Sequence, residues 1–186
     1  MRLRLQYNSP VVLTFALISL VVLALDRLTG GWTTLNLFCV YRAPLSHPLT
    51  YVRMVAHVLG HAGYAHYLSN MMLLLVVGPP LEEKYGSRQL LVCILITALV
   101  SGLAQFLLFP SSAMLGASGI VFMMIVLSSL AGMREGAIPL TLILVVLLYL
   151  GGEAVTALTV EDSVSHLTHI IGGVCGAALG FAMGRR

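Results

Sequence analysis

The chain alternates between long apolar runs and shorter polar connections. Most of the apolar runs approach the length of about 20 residues that a helix needs to cross a bilayer. This pattern predicts an all-α, multi-pass membrane protein in which a single domain over residues 1–186 forms one bundle of six transmembrane helices. The six predicted spans cover about residues 11–28, 55–77, 89–109, 116–132, 138–150 and 164–183.

The connections between the predicted spans differ in character. Residues 29–51 contain tryptophan, phenylalanine and tyrosine, whose amphipathic rings favour the membrane interface, and we expect partly embedded helical turns there. Residues 151–163 contain glycine and acidic residues, and we expect this external loop to act as a lid. The second span is predicted to stop at Gly78-Pro79-Pro80, because proline cannot continue the helical hydrogen bonds.

Composition supports the membrane interpretation. Hydrophobic residues make up 59% of the chain and charged residues only 9%, whereas a soluble domain carries about 25% charged residues. The three cysteines form no recognisable motif, so a disulfide framework is not expected. The net charge is only +3 and no basic cluster is present, which argues against a nucleic-acid partner.

The distribution of basic residues predicts the orientation of the bundle. An even number of spans puts both termini on one side of the membrane. Lysine and arginine collect on the cytoplasmic side, and the larger group shares the side of the termini, so we expect cytoplasmic N- and C-termini. That group consists of Arg2, Arg4, Lys84, Arg88, Arg134, Arg185 and Arg186, whereas Arg27, Arg42 and Arg53 lie on the opposite side.

This topology places two polar side chains at similar depth. Spans two, four and six all start at the external face. Ser118 lies in the first turn of span four, and His169 lies about one turn into span six. Polar groups at membrane depth are costly unless they are used or satisfied, so these two residues are candidates for function.

The faces of the two predicted helices favour contact between these residues. At about 100° per residue, His169 shares a face of span six with Gly172 and Gly176, and such a stripe of small residues lets a neighbouring helix approach closely. Ser118 shares a face of span four with Phe122. If the two faces meet, the imidazole can act as general base for the serine hydroxyl.

Two glycines, Gly116 and Gly119, flank the serine and would allow the local backbone geometry and close access of a substrate. The segment is not the Gly-x-Ser-x-Gly elbow of α/β-hydrolases, because Ile120 occupies the last position. The nearby acidic residues all belong to the external loop. We therefore predict a catalytic dyad of Ser118 and His169 rather than a triad.

Acyl transfer also needs hydrogen-bond donors for the oxyanion. Span two contains His66 and Asn70, which are four residues apart and therefore share one face of a helix. Both side chains can donate an N–H, and the backbone N–H of Ser118 is a further candidate.

Together these residues resemble the rhomboid family of intramembrane serine proteases. The resemblance extends from about residue 52 to the C-terminus, and the first span fits by topology only. It is carried by Gly116-Ala117-Ser118-Gly119, by His61, His66 and Asn70, by His169 with Gly172 and Gly176, and by Gly78, Glu82 and Gly86 at four-residue spacing.

The resemblance implies a role for each of these residues. Ser118 would be the nucleophile and His169 the general base, with His66, Asn70 and the Ser118 backbone N–H as oxyanion donors. Phe122 falls where the family often has a tyrosine that stacks on the catalytic histidine, and a phenyl ring can still stack.

Other residues are expected to support the structure. His61 would brace the entry to span two, and Glu82 would fix the turn that follows it. Many family members carry Trp-Arg in the first external loop, whereas this chain has Val52-Arg53, so the arginine is kept and the tryptophan lost. His57 is expected at the membrane interface, without a functional role.

The family also implies partners and location. A laterally open bundle would admit transmembrane protein substrates from the surrounding lipid and cleave them near the external face, with no metal or organic cofactor. The minimal six-span form is typical of bacteria, so we expect an integral protein of the bacterial inner membrane. The oligomeric state is left open.

Two other functions remain as alternatives. The histidines could form a metal site in a transporter or metalloprotease, although no His-Glu-x-x-His motif is present and no carboxylate within the spans would balance a divalent cation. The chain could also be a catalytically inactive relative that binds membrane clients. Such a protein would be expected to lose the serine or the histidine. The histidines considered for a metal site are His57, His61, His66, His166 and His169.

Overall fold

The computed structural model describes residues 6–131, 137–138, 140–145, 147–148 and 163–184, with side chains in the last helix described from 168 to 183. The described part is mainly helical. Its helices are α1 (Pro10–Leu28), α2 (Trp32–Leu37), α3 (Pro48–Ala56), α4 (Tyr64–Tyr85), α5 (Ser87–Leu108), α6 (Ser118–Ala131), α7 (Leu140–Val145) and α8 (Ser163–Gly184), with a 3-10 turn at His57–Leu59 and two short strands, β1 (Val40–Tyr41) and β2 (Ala113–Met114).

Five helices fall on the predicted spans. Helices α1 and α5 match the first and third spans, and among the described residues they are the two that are long and apolar enough to cross a membrane. Helix α6 and the portion of α8 from Thr168 to Met183 are shorter apolar helices, and α6 and α8 match the fourth and sixth spans. Helix α7 lies within the fifth span, whose remaining residues are partly outside the described chain, as is most of the predicted lid at 151–163.

The second span differs from its prediction at both ends. Residues 55–59 belong to α3 and the 3-10 turn, and α4 begins only at Tyr64. The helix is interrupted because the chain is extended at Gly60, where an added Cβ would collide with the carbonyl oxygen of Phe38. The predicted stop at Gly78-Pro79-Pro80 is wrong, since α4 continues through both prolines to Tyr85.

A buried carboxylate anchors the part of α4 that lies beyond its prolines. The two prolines remove two helical N–H donors, but Glu82, one turn further on, bonds outside its own helix. Its side chain accepts hydrogen bonds from the backbone N–H groups of Val11 at 2.9 Å and Val12 at 3.1 Å, and from the Ser87 hydroxyl at 2.7 Å. These amides belong to the first turn of α1, where the backbone N–H groups have no acceptor within the helix. The positive end of the helix dipole also favours a negative charge there. Glu82 therefore joins α1, α4 and α5.

Helix α6 is the centre of the core. Residues 119–124 are all buried along it, and it packs against α4, α5 and α8. Its closest neighbour is α8, where an added Cβ at Gly172 would collide with the Gly119 carbonyl oxygen and one at Gly176 would come 3.0 Å from the Val126 Cβ. The glycine stripe thus brings the backbones of α6 and α8 into direct contact.

The connection before α4 is tied to the start of α6 by a feature that the sequence did not predict. Strands β1 and β2 pair antiparallel, with Val40 opposite Met114 and Tyr41 opposite Ala113. Arg53 is buried, with its guanidinium 4.3 Å from the centre of the Tyr41 ring and a hydrogen bond to the tyrosine hydroxyl. Val52, at the position of the missing tryptophan, is exposed.

Candidate active site

The loop that leads into α6 fixes the position of Ser118. Gly116 has a φ of +123°, which L side chains rarely adopt, so glycine is required there. Its N–H donates to the carbonyl oxygen of His57 at 3.0 Å. Ser118 is the first residue of α6, so its N–H is one of those that have no acceptor within the helix.

His169 lies in α8, where its ring stacks on Phe122 of α6. The two ring centres are 4.8 Å apart and the ring planes differ by only 8°. The preceding residue, Thr168, is buried against Gly119 and donates a hydrogen bond from its hydroxyl to the sulfur of Met114 at 2.7 Å. Phe122 of α6 thus contacts the imidazole, while Thr168 holds this part of α8 against the loop before α6.

A cavity of about 410 Å³ brings the predicted site residues together. Ser118, His169, His66 and Asn70 all line it, from α6, α8 and α4, and Phe122 lines it beside His169. Sequence reasoning did not identify the other lining residues, although several are sequence neighbours of the predicted ones. These are Ser69, Leu73, Met114, Leu115, Val121 and Thr168.

The hydrogen bonds of His66 fix which of its nitrogens carries a proton. The backbone N–H of Ala62 donates to Nδ1 at 3.4 Å, so Nδ1 is an acceptor and the neutral ring carries its proton on Nε2. The Nε2 side of the ring faces Gly116, where an added Cβ would lie 2.9 Å from Nε2. The Nε2–H is thus a donor next to the loop that precedes Ser118.

Asn70 lies one turn after His66 and is almost completely buried, with 6% of its surface exposed. Its amide nitrogen donates to the His66 carbonyl oxygen at 3.0 Å. A side-chain amide has two N–H donors, so one remains for a group in the cavity. The bond to His66 fixes the direction in which that second donor points.

His61 does not line the cavity but contacts a residue that does. It is fully buried, its Nδ1 donates to the Leu59 carbonyl oxygen at 3.3 Å, and its ring meets that of His66 edge-on at 5.1 Å. Burial, with a smaller contribution from the nearby His66, lowers the pKa of His61 to about 4. His61 is therefore neutral at pH 7 and supports the His66 ring without adding charge.

The remaining predicted residues act at a distance from the cavity. Arg53 stabilises the connection before α4. Glu82 stabilises the end of α4 that lies away from the cavity. Neither residue lines the cavity. Gly172 and Gly176 contribute by letting α8 approach α6. His57, expected at the membrane interface, is buried within the protein, with only 1% of its surface accessible. The side chain of His166 lies outside the described residues.

The cavity combines three kinds of group that acyl transfer requires. It has a hydroxyl, an imidazole stacked in place on another helix, and several N–H donors. None of the described residues that line it is acidic. Within the part of the chain that the structure describes, no three histidine, cysteine, aspartate or glutamate residues form a group that could hold a metal ion.

Comparison with known proteins gives one matching family model. The model of the Rhomboid domain matches residues 48–186. The chain is 28% identical over 180 residues to "Rhomboid protease GlpG" of Pectobacterium atrosepticum, covering 95% of this chain and 63% of that one. It is 31% identical over 142 residues to "Rhomboid-related protein 1" of Caenorhabditis elegans, covering 70% of this chain and 39% of that one.

A third relative, "Rhomboid protease GluP" of Bacillus subtilis, is 28% identical over 182 residues, which cover 92% of this chain and 35% of the relative. In these three comparisons the match therefore spans between 35% and 63% of the relative's own length. The match to the Rhomboid domain model covers the whole region from α3 to α8 that surrounds the cavity.

Proposed function

Because this chain belongs to the rhomboid family of integral membrane proteins, we propose that it is a serine-type endopeptidase that cleaves transmembrane segments of other membrane proteins. The observation that carries the proposal is the single cavity that gathers Ser118, His169, His66 and Asn70 from three helices. Named rhomboid proteases are among its relatives, which supports the same chemistry.

In the proposed mechanism, Ser118 and His169 act as a dyad. His169 accepts the proton of the Ser118 hydroxyl while the serine oxygen attacks the carbonyl carbon of the scissile peptide bond. His169 then donates that proton to the leaving amine. Water next attacks the acyl-enzyme, with His169 again as base; the bond between the acyl carbon and the Ser118 oxygen then breaks, and His169 returns the proton to that oxygen. The stack on Phe122 keeps the plane of the imidazole fixed.

The oxyanion of each tetrahedral intermediate would rest on donors of residues that line the cavity. These are the Nε2–H of His66, the second amide N–H of Asn70 and the backbone N–H of Ser118. The positive end of the α6 dipole also favours negative charge at Ser118. No step of this mechanism requires a metal or an organic cofactor.

The substrate is proposed to enter from the lipid and to be cut near the external face. The proposed topology has six spans and both termini in the cytoplasm. Ser118 then lies in the first turn of the fourth span, near the external face. Residues 1–186 would act as one membrane domain, and the location proposed is the bacterial inner membrane. The larger number of basic residues on the side of the termini supports this orientation.

The test is cleavage of a generic transmembrane reporter by purified protein, in detergent and in lipid vesicles. Ser118→Ala and His169→Ala are each expected to abolish cleavage, and EDTA is expected to have no effect. Two matched controls should behave like the wild type. Ser128→Ala changes an exposed serine of the same helix, and His47→Ala changes an exposed histidine. Cleavage that survives Ser118→Ala would exclude the serine mechanism.

The other outcomes separate the alternatives. Cleavage that EDTA abolishes would indicate a metalloprotease. If the wild type cleaves nothing in lipid and still binds the reporter, the protein would be a client-binding relative without protease activity.

A further inference from the structure

A second cavity lies at the end of the bundle opposite to the candidate active site. It has a volume of about 410 Å³ and lies between α5 and α8, two helices that pack against each other. On α8, His169 lines the candidate active site and Leu179 lines this cavity, and the two residues are about 15 Å apart along the helix axis. None of the residues assigned to catalysis lines the second cavity, so its side chains have no role in the proposed mechanism.

The cavity is positively charged where α5 begins. Arg88, an exposed residue of the first turn of α5, lines it there together with Gln89. The first turn of a helix favours negative charge, so Arg88 adds a second positive group to the positive end of the dipole. None of the described residues that line the cavity is acidic. An anion would therefore be attracted to this end of the cavity.

Two acidic residues precede Arg88 in the chain, but neither lines the cavity. Glu82 is buried and already accepts hydrogen bonds from two amides of α1 and from the Ser87 hydroxyl. Glu83 is exposed and belongs to the last turn of α4. The guanidinium of Arg88 is therefore available to an anion that enters the cavity from outside.

The rest of the cavity wall is apolar. Val92 lies one turn further along α5 than Arg88, and Leu179 and Ala182 line the cavity from α8. Cys93 closes the floor, with 2% of its surface exposed, whereas Val92 and Ala182 are exposed. The cavity therefore opens toward the surroundings of the bundle, which for a membrane protein are the hydrocarbon chains of lipids.

One kind of molecule matches both parts of the cavity. A small soluble anion would leave the apolar wall unused, and a neutral hydrocarbon chain would leave the guanidinium without a partner. A guanidinium can bind phosphate through two parallel hydrogen bonds, and an acyl chain can lie along the apolar wall. Basic pockets between transmembrane helices on the cytoplasmic side bind the head groups of anionic lipids, and the proposed topology puts this end of the bundle on that side.

We propose that the cavity between the start of α5 and the end of α8 binds one anionic phospholipid, with its phosphate on Arg88 and an acyl chain along Val92, Leu179 and Ala182. This binding site goes beyond the proposed protease function and does not depend on it. A phospholipid held there would contact both helices. It would therefore stabilise the packing of α8, the helix that carries His169.

The experiment titrates purified protein in a neutral detergent with dioleoyl phosphatidylglycerol or with dioleoyl phosphatidylcholine, and bound lipid is counted by native mass spectrometry. The two lipids have the same acyl chains and differ in net charge. The wild type is expected to bind phosphatidylglycerol more tightly. Arg88→Gln should weaken phosphatidylglycerol binding about fivefold, the contribution of one cation near a charged membrane surface, and should leave phosphatidylcholine binding nearly unchanged. Arg88→Lys keeps the charge and should lose less.

Matched controls test whether the cavity itself is responsible. Lys84→Gln removes an exposed cation at the same end of the bundle that does not line the cavity, and it should bind both lipids like the wild type. Ala182→Phe fills the apolar part and should weaken binding of both lipids, whereas Ala24→Phe, at an exposed alanine of α1, should not. Phosphatidylglycerol should also raise the thermal unfolding midpoint of the wild type more than that of Arg88→Gln. Because Arg88 is exposed, its variants test the proposal even if Ala182→Phe does not fold.

Three results would overturn the proposal. Equal losses in Arg88→Gln and Lys84→Gln would mean that phosphatidylglycerol responds to the overall charge of this surface. Equal binding of the two lipids, unchanged in Arg88→Gln, would leave only an apolar groove. Displacement of phosphatidylglycerol by sodium phosphate at the same concentration would indicate an anion site without a role for the acyl chain. Binding is measured without cleavage, so these results stand even if the proposed protease function fails.

Discussion

The phenyl ring of Phe122 lies almost parallel to the imidazole of His169, with 4.8 Å between the ring centres and 8° between the ring planes. The two residues are on different helices, α6 and α8, so the stack depends on the packing of those helices. It restricts the plane of the imidazole, and the proposed proton transfer requires an oriented base.

Removal of this stack should slow the reaction without preventing folding. An aromatic pair is worth about 0.5–1.5 kcal/mol beyond its buried area, so Phe122→Leu is expected to lower kcat by about 2- to 10-fold. Phe122→Tyr keeps the ring and should retain more activity than the leucine variant. Equal kcat values for wild type and Phe122→Leu would contradict a role for the stack.

The loop before Ser118 allows a second prediction. Gly116→Ala would force a side chain into a backbone with φ of +123° and push its Cβ against His66. We expect a loss of kcat of about 100-fold, because misplacement of about 1 Å in an active site can have that effect. The measurement is reporter cleavage, with the unfolding midpoint recorded in parallel.

The control for this variant is Gly31→Ala. Gly31 also has a positive φ, of +91°, but an added Cβ there would have nothing within 4 Å. It should cost some stability through backbone strain while leaving kcat near that of the wild type. If both alanine variants lose the same activity, strain alone explains the effect and contact with His66 does not.

The contact between α6 and α8 predicts a difference between two glycines of one stripe. Gly172→Ala would press against the backbone carbonyl of Gly119, which cannot move without shifting the helix, whereas Gly180→Ala would meet the end of the Leu130 side chain at 2.6 Å. Overpacking typically costs about 1–3 kcal/mol. Gly172→Ala should therefore lower the thermal unfolding midpoint clearly more than Gly180→Ala does. The reverse order would contradict the described packing.

Glu82 gives a prediction about stability away from the cavity. Glu82→Gln replaces one acceptor oxygen by an NH2 group, which would face an N–H of α1 or the hydroxyl of Ser87. Loss of a buried charged acceptor costs about 1–3 kcal/mol, so the unfolding midpoint should fall. Glu83→Gln, which changes the exposed neighbour, is the matched control and should leave the midpoint unchanged.

Much of the site could be predicted because its signals are local. The spacing of Gly172 and Gly176 from His169 defines one helix face, and that face does contact α6. The apolar runs likewise predicted α1, α5, α6 and α8 to within a few residues. Helical periodicity needs only neighbouring residues, so it can be read from sequence alone.

The features that were missed depend on contacts between distant parts of the chain. The pairing of Val40 with Met114 leaves no pattern in either two-residue strand. The prolines of α4 predicted a stop, but the helix continues to Tyr85, and Glu82 in its last turn is anchored by amides of the distant α1. His57 gave no sign of burial, because Ser101, which its ring contacts, is on another helix.

The arrangement of α8 against α6 also has a consequence for biosynthesis. Parts of a chain that are synthesised first fold first, and α8 is made after α6 because it follows it in the chain. Until it packs against α6, the proposed nucleophile has no base beside it and one wall of the cavity is missing. On the proposed function, a chain in which α8 has not yet packed against α6 would therefore be harmless to the proteins around it, and proteolysis would begin only once these two helices meet.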